Sequence, residues 1–315
     1  MELRKDYILD RYVIVSSARS KRPKEFKKVQ EKVKEGICFF CPGNENLTPS
    51  EIGRIGTKKQ WKLRWFPNKF AAVDLEGNPQ IETHNNYFTF ASAYGYHEVL
   101  VETNDHKKQL WDLTKTQIKM VLETYANRIR DLSQKENVSY VCVFKNHGKE
   151  GGTSLVHSHS QIIAYNKWPN LVKDKINAVN KYDQCPYCEI LEIEKDSDRR
   201  CYENSSFVAF TPYASRFHFE IWIFPKEHLK NITDLSEDRL KDLAEIMKLI
   251  LTKLKKLNSP YNMELFYSPD SEDLHFHIEV TPRLATWAGF ELLTDDIINS
   301  VSPEAAAEYY RGEKQ

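Results

Sequence analysis

The segment His157-Ser158-His159-Ser160-Gln161 places two imidazoles and a carboxamide at alternate positions. On an extended strand that spacing puts all three on one face. Imidazole can act as nucleophile, general base or metal ligand, and a carboxamide can donate to a charged oxygen. The preceding Gly151-Gly152-Thr153-Ser154 supplies small residues that let backbone donors approach an anion. Together these residues suit attack on phosphorus. The plainer reading is a strand with two ordinary histidines, and HxHxQ alone does not separate the two.

The elements around this segment occur twice. His97-Glu98-Val99-Leu100-Val101 aligns with Phe219-Glu220-Ile221-Trp222-Ile223. At the same offset His106 meets His228, Asp112 meets Asp234, Leu113 meets Leu235 and Thr114 meets Ser236. At a shorter offset His157-Ser158-His159 meets His275-Phe276-His277. Upstream, Cys38-Phe39-Phe40-Cys41 is matched by Cys185-Pro186-Tyr187-Cys188. Each half reads CxxC, an apolar strand leading to His, a helix, then a strand with HxH. That order is expected of a duplicated supersecondary unit. The boundary falls in Asn166 to Asp183, giving an N-terminal repeat over 1–170 and a C-terminal repeat over 171–315.

The helices serve as scaffold. Thr114-Lys115-Thr116-Gln117 fits a capping box, and Ile118, Val121, Leu122, Tyr125, Ile129 and Leu132 follow at helical spacing. In the second half Ser236 precedes Leu240, Leu243, Met247, Ile250 and Leu254. A charge-rich helix with one apolar stripe covers a core, so no chemistry is assigned to either.

A CxxC pair with two histidines supplies four N and S ligands, enough for closed tetrahedral zinc. The first set is Cys38, Cys41, His106 and His157; the second is Cys185, Cys188, His228 and His275. The expected content is two zinc ions per chain. A redox CxxC is the competing reading, but it leaves the repeated histidines unexplained. Cys142 and Cys201 lack such partners and read as core thiols.

With His157 and His275 assigned to metal, His159 and His277 are the free histidines. Near His159 lie Asn146, Gly148, Gly151, Gly152, Ser154 and Gln161; near His277 lie Asp270, Glu272, Asp273 and Glu279. Carboxylates repel a phosphate, so only the first half reads as catalytic, and His277 reads as a packed histidine.

Composition narrows the classes. Over 315 residues Lys plus Arg equals Asp plus Glu, at 45 each, so no global basic field drives nucleic-acid binding. No apolar run reaches the roughly 20 residues that span a bilayer. The start, Met1-Glu2-Leu3-Arg4-Lys5-Asp6, is too charged for a secretory signal, and the expectation is a cytoplasmic protein without membrane or nucleic-acid partners.

The chain resembles the galactose-1-phosphate uridylyltransferases of the histidine-triad superfamily over nearly its whole length. The resemblance rests on Arg19-Ser20-Lys21-Arg22-Pro23, Cys38 to Asn44, Phe66-Pro67-Asn68, His106, Asn146 to Gln161, Pro225-Lys226-Glu227-His228 and Leu274-His275-Phe276-His277. It implies an α+β fold of two tandem histidine-triad-like repeats, with antiparallel sheets flanked by helices. It also implies ping-pong nucleotidyl transfer between a nucleoside diphosphate sugar and a hexose 1-phosphate, galactose 1-phosphate in the leading reading. His159 would be the nucleophile, with Gln161, Ser154 and Asn146 on phosphoryl oxygens and Arg19 and Arg22 on phosphate. Phe39, Leu47, Phe66 and Asn68 match base-pocket positions; Phe290 and Glu291 match the stretch that grips the hexose. The family shares its active site across a homodimer, so a homodimer is expected.

Five positions depart from the pattern. Lys69 follows the base-pocket Asn where an aspartate is often found, and Ala285 and Thr286 replace a Lys and a Phe. The spacers Ser158 and Ser160 replace Pro and Gly, a form similar to a branch that includes ADP-sugar phosphorylases. That branch supplies the alternative, an adenylyl-transferring sugar phosphorylase. A non-catalytic, zinc-stabilised nucleotide-binding protein is the remaining one.

Overall fold

Runs of β-branched and aromatic residues, broken by Gly, Pro and Asn, make this chain rich in short strands. The computed structural model describes residues 1–16, 36–269 and 272–313. The first half contains β1 (Glu2–Lys5), β2 (Tyr12–Val15), β3 (Gly53–Gly56), β4 (Trp61–Pro67), β5 (Glu82–His84), β6 (Phe88–Phe90), β7 (Gly95–Val101), α1 (Lys115–Ser133), β8 (Tyr140–His147) and β9 (His159–Tyr165). The second contains α2 (Asn170–Val179), α3 (Pro186–Glu194), β10 (Arg200–Glu203), β11 (Phe207–Phe210), β12 (Ile221–Pro225), α4 (Glu237–Lys256), β13 (Tyr261–Phe266), β14 (His277–Pro282), α5 (Gly289–Thr294), β15 (Ile297–Asn299) and α6 (Pro303–Arg311).

Ten strands form one sheet in the order β10-β11-β12-β14-β13-β8-β9-β7-β4-β3. Read from either edge, the series passes through corresponding strands of the two repeats, which meet where β8 pairs antiparallel with β13. The repeats therefore share one continuous sheet rather than owning separate ones. The expected α+β repeat fold is present, and the join removes an open edge from each half.

The helices form as their sequences require. The Thr114 side chain accepts from Gln117 N–H while the Gln117 side chain accepts from Thr114 N–H, closing the capping box at α1. The Ser236 side chain accepts from Arg239 N–H at α4. Ile118, Val121, Leu122, Tyr125, Ile129 and Leu132 of α1 are all buried, as are Leu240, Leu243, Met247, Ile250 and Leu254 of α4. The two helices pack against each other over the sheet. Each fully buried Leu or Ile contributes about 1.5–3 kcal/mol.

The chain's first residues rest on the second half. β1, β2 and β15 make a three-stranded sheet, Tyr7 Oη donates to Glu194 Oε1 at 2.6 Å, and Arg4 pairs with Glu304 at 2.8 Å. Among the described residues no helix is long and apolar enough to cross a membrane.

Candidate active site and metal centres

The long sequence gaps between the CxxC pairs and the histidines close in space. In the first set Cys41 Sγ lies 3.3 Å from His106 Nδ1 and 3.7 Å from His157 Nδ1, and Cys38 Sγ lies 3.5 Å from His157 Nδ1. All four ligand atoms fall within 4.8 Å of one another. A tetrahedral zinc with ordinary Zn–S and Zn–N distances has S···N edges of about 3.6 Å, so the donor set fits that ion. His157 Nε2 donates to Thr103 O at 2.8 Å, which leaves the Nδ1 lone pair facing the sulfurs.

The second set repeats this. Cys188 Sγ is 3.3 Å from His228 Nδ1 and 3.6 Å from His275 Nδ1, and with Cys185 the four donors again lie within 4.8 Å. His275 Nε2 donates to Pro225 O at 3.1 Å, and His228 Nε2 donates to Asp273 Oδ1 at 2.7 Å. Asp273, one of the acidic residues read as anion-repelling, therefore orients one of the four candidate donors. Burial and the neighbouring Cys185 push the Cys188 thiol up to about 12, so a bound cation would supply the charge that favours thiolate here. Each half thus holds a four-residue group able to bind a metal ion.

His159 is free of the first group. On β9 its Nδ1 donates to His157 O at 2.8 Å, which fixes the tautomer with the lone pair on Nε2. Burial, the largest influence, holds its pKa down at about 4, so the imidazole is neutral near pH 7. Phe40, in the CxxC loop, meets the ring edge-on at 5.3 Å between centroids. The result is an oriented neutral imidazole with the chemistry a nucleophile needs.

Beneath the strand, the spacers Ser158 and Ser160 point toward α1. Ser158 Oγ donates to Glu102 Oε2 at 2.5 Å, Ser160 Oγ donates to Glu102 Oε1, and Tyr125 Oη on α1 lies 2.5 Å from Ser160 Oγ. Lys145 Nζ on β8 completes the group, bonding Glu102 Oε2 at 2.7 Å, Ser158 Oγ at 3.1 Å and His159 O at 3.0 Å. Burial alone would raise the Glu102 carboxyl, but Lys145 and the two serines outweigh it and hold the pKa below the ordinary value. No sequence motif marks Glu102 or Lys145, and Tyr125 reads from the sequence only as part of the apolar stripe of α1. In the second half Phe276 and Ile278 stand where Ser158 and Ser160 do, so among the described residues the pair of serines on Glu102 has no counterpart beside His277.

The Gly-rich loop leads into the site. A Cβ at Gly151 would collide with the His147 carbonyl, and Gly152 adopts φ +85°. Asn146, near the end of β8, has its Oδ1 held by Asn262 Nδ2 at 2.8 Å, and Asn262 Nδ2 also donates to Gly151 O at 2.7 Å. Ser154 is exposed in the loop.

The second half keeps the HxH backbone but not the open nitrogen. His277 Nδ1 donates to His275 O at 2.8 Å, as in the first half. Its Nε2, however, is capped by Lys175 Nζ at 2.9 Å, and Lys175 is itself paired with Glu279 at 2.5 Å. The ring is fully buried, stacked between Phe224 at 4.7 Å and Phe266 at 5.0 Å. The correspondence of the two halves also differs by one residue from the sequence alignment. Val99 pairs with Gln161 while Trp222 pairs with Glu279, so Glu220, not Phe219, takes the place of His97. Because side chains alternate faces, that step decides which residues share the site face.

The remaining expected residues fall in three places. Arg19 and Arg22 lie outside the described residues, as does Asp270. Phe39 and Leu47 are partly exposed, whereas Phe66 is buried in a small core with Phe40, Trp61, Val99 and Val101. Asn68 Oδ1 accepts from Phe70 N–H at 2.9 Å and its Nδ2 lies 3.1 Å from His97 Nε2, close to Gln161. Phe290 and Glu291 are on α5; Glu291 lines a small cavity with Arg216, His218 and Trp287, none of them on the strand that carries His159.

Residues 1–169 match the family described as galactose-1-phosphate uridyl transferase, N-terminal domain, and residues 95–310 match a domain of unknown function, DUF4921. The chain belongs to the galactose-1-phosphate uridylyltransferase family. It is 33% identical to a galactose-1-phosphate uridylyltransferase of Thermotoga maritima, over 99% of this chain and 98% of that one. It is 34% identical to an ADP-glucose phosphorylase of Arabidopsis thaliana, over 98% and 92% respectively. The crystal structure of an Arabidopsis thaliana ADP-glucose phosphorylase with bound ADP-glucose superposes with a TM-score of 0.85 at 33% identity, covering 100% of this chain and 99% of that one. A solved uridylyltransferase superposes with a TM-score of 0.77 at 29% identity, over 99% and 98%.

Proposed function

We propose that this protein is a nucleotidyltransferase acting through a covalent adduct on His159. The single observation that carries this reading is the free, neutral His159 Nε2, whose partner nitrogen is anchored on His157 O. The lone pair on Nε2 attacks the α-phosphorus of a nucleoside diphosphate sugar, and the bond from that phosphorus to the bridging oxygen breaks. The hexose 1-phosphate leaves with the bonding electrons. In the second half-reaction a phosphate oxygen of the incoming acceptor attacks the adduct and releases Nε2. Splitting one displacement into two lowers the demand on each. Nδ1–H remains on His157 O throughout and stabilises the cationic ring of the adduct. Gln161 and Asn146 offer amide NH2 groups to non-bridging oxygens, with Ser154, Arg19 and Arg22 as further phosphate contacts. Alignment and charge stabilisation are what such transfers chiefly require.

The leading donor is a UDP-hexose, with galactose 1-phosphate as acceptor, in keeping with the family match and the Thermotoga maritima relative. A second reading, ADP-sugar phosphorolysis with inorganic phosphate as acceptor, is favoured by the ADP-glucose-bound neighbour and by the Ser158 and Ser160 spacers. Phe39, Leu47, Phe66 and Asn68 would form or back the base pocket. Phe290 and Glu291 would contact the hexose from a second copy, which makes the working unit a homodimer. Zinc is the metal we assign to both Cys/His groups, in a structural role, on the basis of the tetrahedral fit. The compartment proposed is the cytoplasm.

The test uses UDP-glucose and ADP-glucose carrying a radioactive α-phosphate, with acid trapping and peptide mapping. Label on His159 from UDP-glucose is the expected result. Label from ADP-glucose alone would replace the leading donor by the second, and no label from either would overturn nucleotidyl transfer. Sedimentation of the purified protein tests the dimer.

A further inference from the structure

A neutral carboxamide has a donor end and an acceptor end of nearly equal size, so packing alone does not choose which faces a ligand. For Gln161 a second residue makes the choice. His97 lies on β7 beside β9, and its Nε2 is 2.8 Å from Gln161 Oε1. The other ring nitrogen, Nδ1, accepts from the backbone N–H of Ala72 at 3.0 Å. A backbone N–H cannot rotate away or turn into an acceptor, so Nδ1 must carry the lone pair and Nε2 the proton. The alternative tautomer would let Nε2 accept from Asn68 Nδ2 at 3.1 Å, but it would set two N–H groups against each other at Ala72. Burial lowers the His97 pKa, which keeps the ring neutral and its Nδ1 able to accept.

We infer that His97 is a positioning residue: its Nε2–H holds the carbonyl end of Gln161 and leaves the NH2 end for an oxygen of the phosphoryl group attacked by His159. The consequence for catalysis rests on the proposed nucleotidyl transfer; the orientation itself does not. Gln161 shares its strand face with His159, two positions away, and among the described residues its Nε2 makes no hydrogen bond. The neighbouring Asn146 is set the same way, its Oδ1 taken by Asn262 Nδ2, whose own Oδ1 accepts from Arg283 Nη1 at 3.2 Å. Two amides on the site face thus have their acceptor ends occupied from behind. In the second half the positions of His97 and Gln161 are taken by Glu220 and Glu279, which offer no donor to a phosphate.

Two measurements test this. In the free protein, ¹⁵N NMR of the imidazoles, with the His97 signals assigned by their loss in His97→Phe, is expected to show the Nε2-protonated tautomer. An Nδ1-protonated ring would overturn the inference regardless of substrate. Single-turnover labelling with ADP-glucose and UDP-glucose then reads the consequence. With whichever donor labels the wild-type protein, His97→Phe is expected to slow adduct formation about tenfold, part of the loss typical of removing one donor to a developing charge. The nucleotide-sugar KM should stay near its wild-type value, and His97→Gln, which can return an N–H to the same place, should recover most of the rate. In a Gln161→Ala background the His97→Phe effect should vanish; additive losses, or an unchanged rate in His97→Phe, would refute the coupling. If neither donor labels the wild type, the proposed function fails while the tautomer measurement still decides the orientation of Gln161.

Discussion

His159 donates its Nδ1 proton to the backbone carbonyl of His157, 2.8 Å away. The residue whose side chain is turned to the cysteines thus also orients, through its main chain, the residue turned to the site. The same bond joins His277 to His275, yet there Lys175 occupies the nitrogen that would react. Backbone geometry alone does not make a nucleophile; access to Nε2 does.

One nucleotide per chain is therefore expected at saturation. His159→Asn should reduce adduct formation by on the order of 10³-fold or more, as loss of a covalent nucleophile does. His277→Asn should leave the adduct in place at unchanged stoichiometry. Mass spectrometry of the trapped protein reads both, and two labels per chain would contradict the silent second half.

Metal analysis should return two zinc ions per chain, one for each Cys/His group. Cys41→Ser should remove one ion and Cys188→Ser the other, each lowering the thermal midpoint because metal binding and folding are coupled. A variant that keeps both ions would show that its cysteine is not a ligand.

The pair of Glu102 and Lys145 is buried on both sides, with 0% and 1% of the side chains exposed. Glu102→Gln or Lys145→Met alone should cost about 3–5 kcal/mol in urea unfolding, since each leaves an uncompensated buried charge. The double variant should recover part of that loss, and adduct formation should fall in the single variants because the strand bearing His159 loses its support. Equal and additive costs would mean that the pair does not act together.

Stability should fall on the acid side. Glu102 and Glu279 both titrate below the ordinary carboxylate value in the folded protein: burial works against ionisation, but Lys145 and Lys175 outweigh it. The unfolded chain therefore binds protons at higher pH than the folded one. The stabilisation is fully present above the ordinary carboxyl value of 4.5 and is lost as pH falls below it toward the depressed folded values. Urea midpoints measured from pH 6 down to 3 should decline, and less steeply in Glu102→Gln/Lys145→Met. Identical slopes would remove Glu102 from the acid response.

Much of the site was readable from residue order. The paired CxxC motifs and the repeated histidines named both four-residue groups that could hold a metal ion, because four N and S donors recurring in register have few other uses. The alternation of HxHxQ placed His159 and Gln161 on one face, since the strand period is two. The capping box at Thr114 and the stripe through Leu132 identified α1 for local reasons, as did Ser236 for α4.

The remainder required the sheet. His97 reaches Gln161 and Lys145 reaches Glu102 across strands 64 and 43 residues apart in sequence, and no spacing rule joins them. Lys175 arrives at His277 from α2, 102 residues away, and closes a nitrogen that the motif alone leaves open. The correspondence of β7 with β12 also depended on pairing, because one residue of slip exchanges the faces of a strand. Residue types and periodicity set which groups could do chemistry here; cross-strand register and burial decided which histidine keeps an open nitrogen.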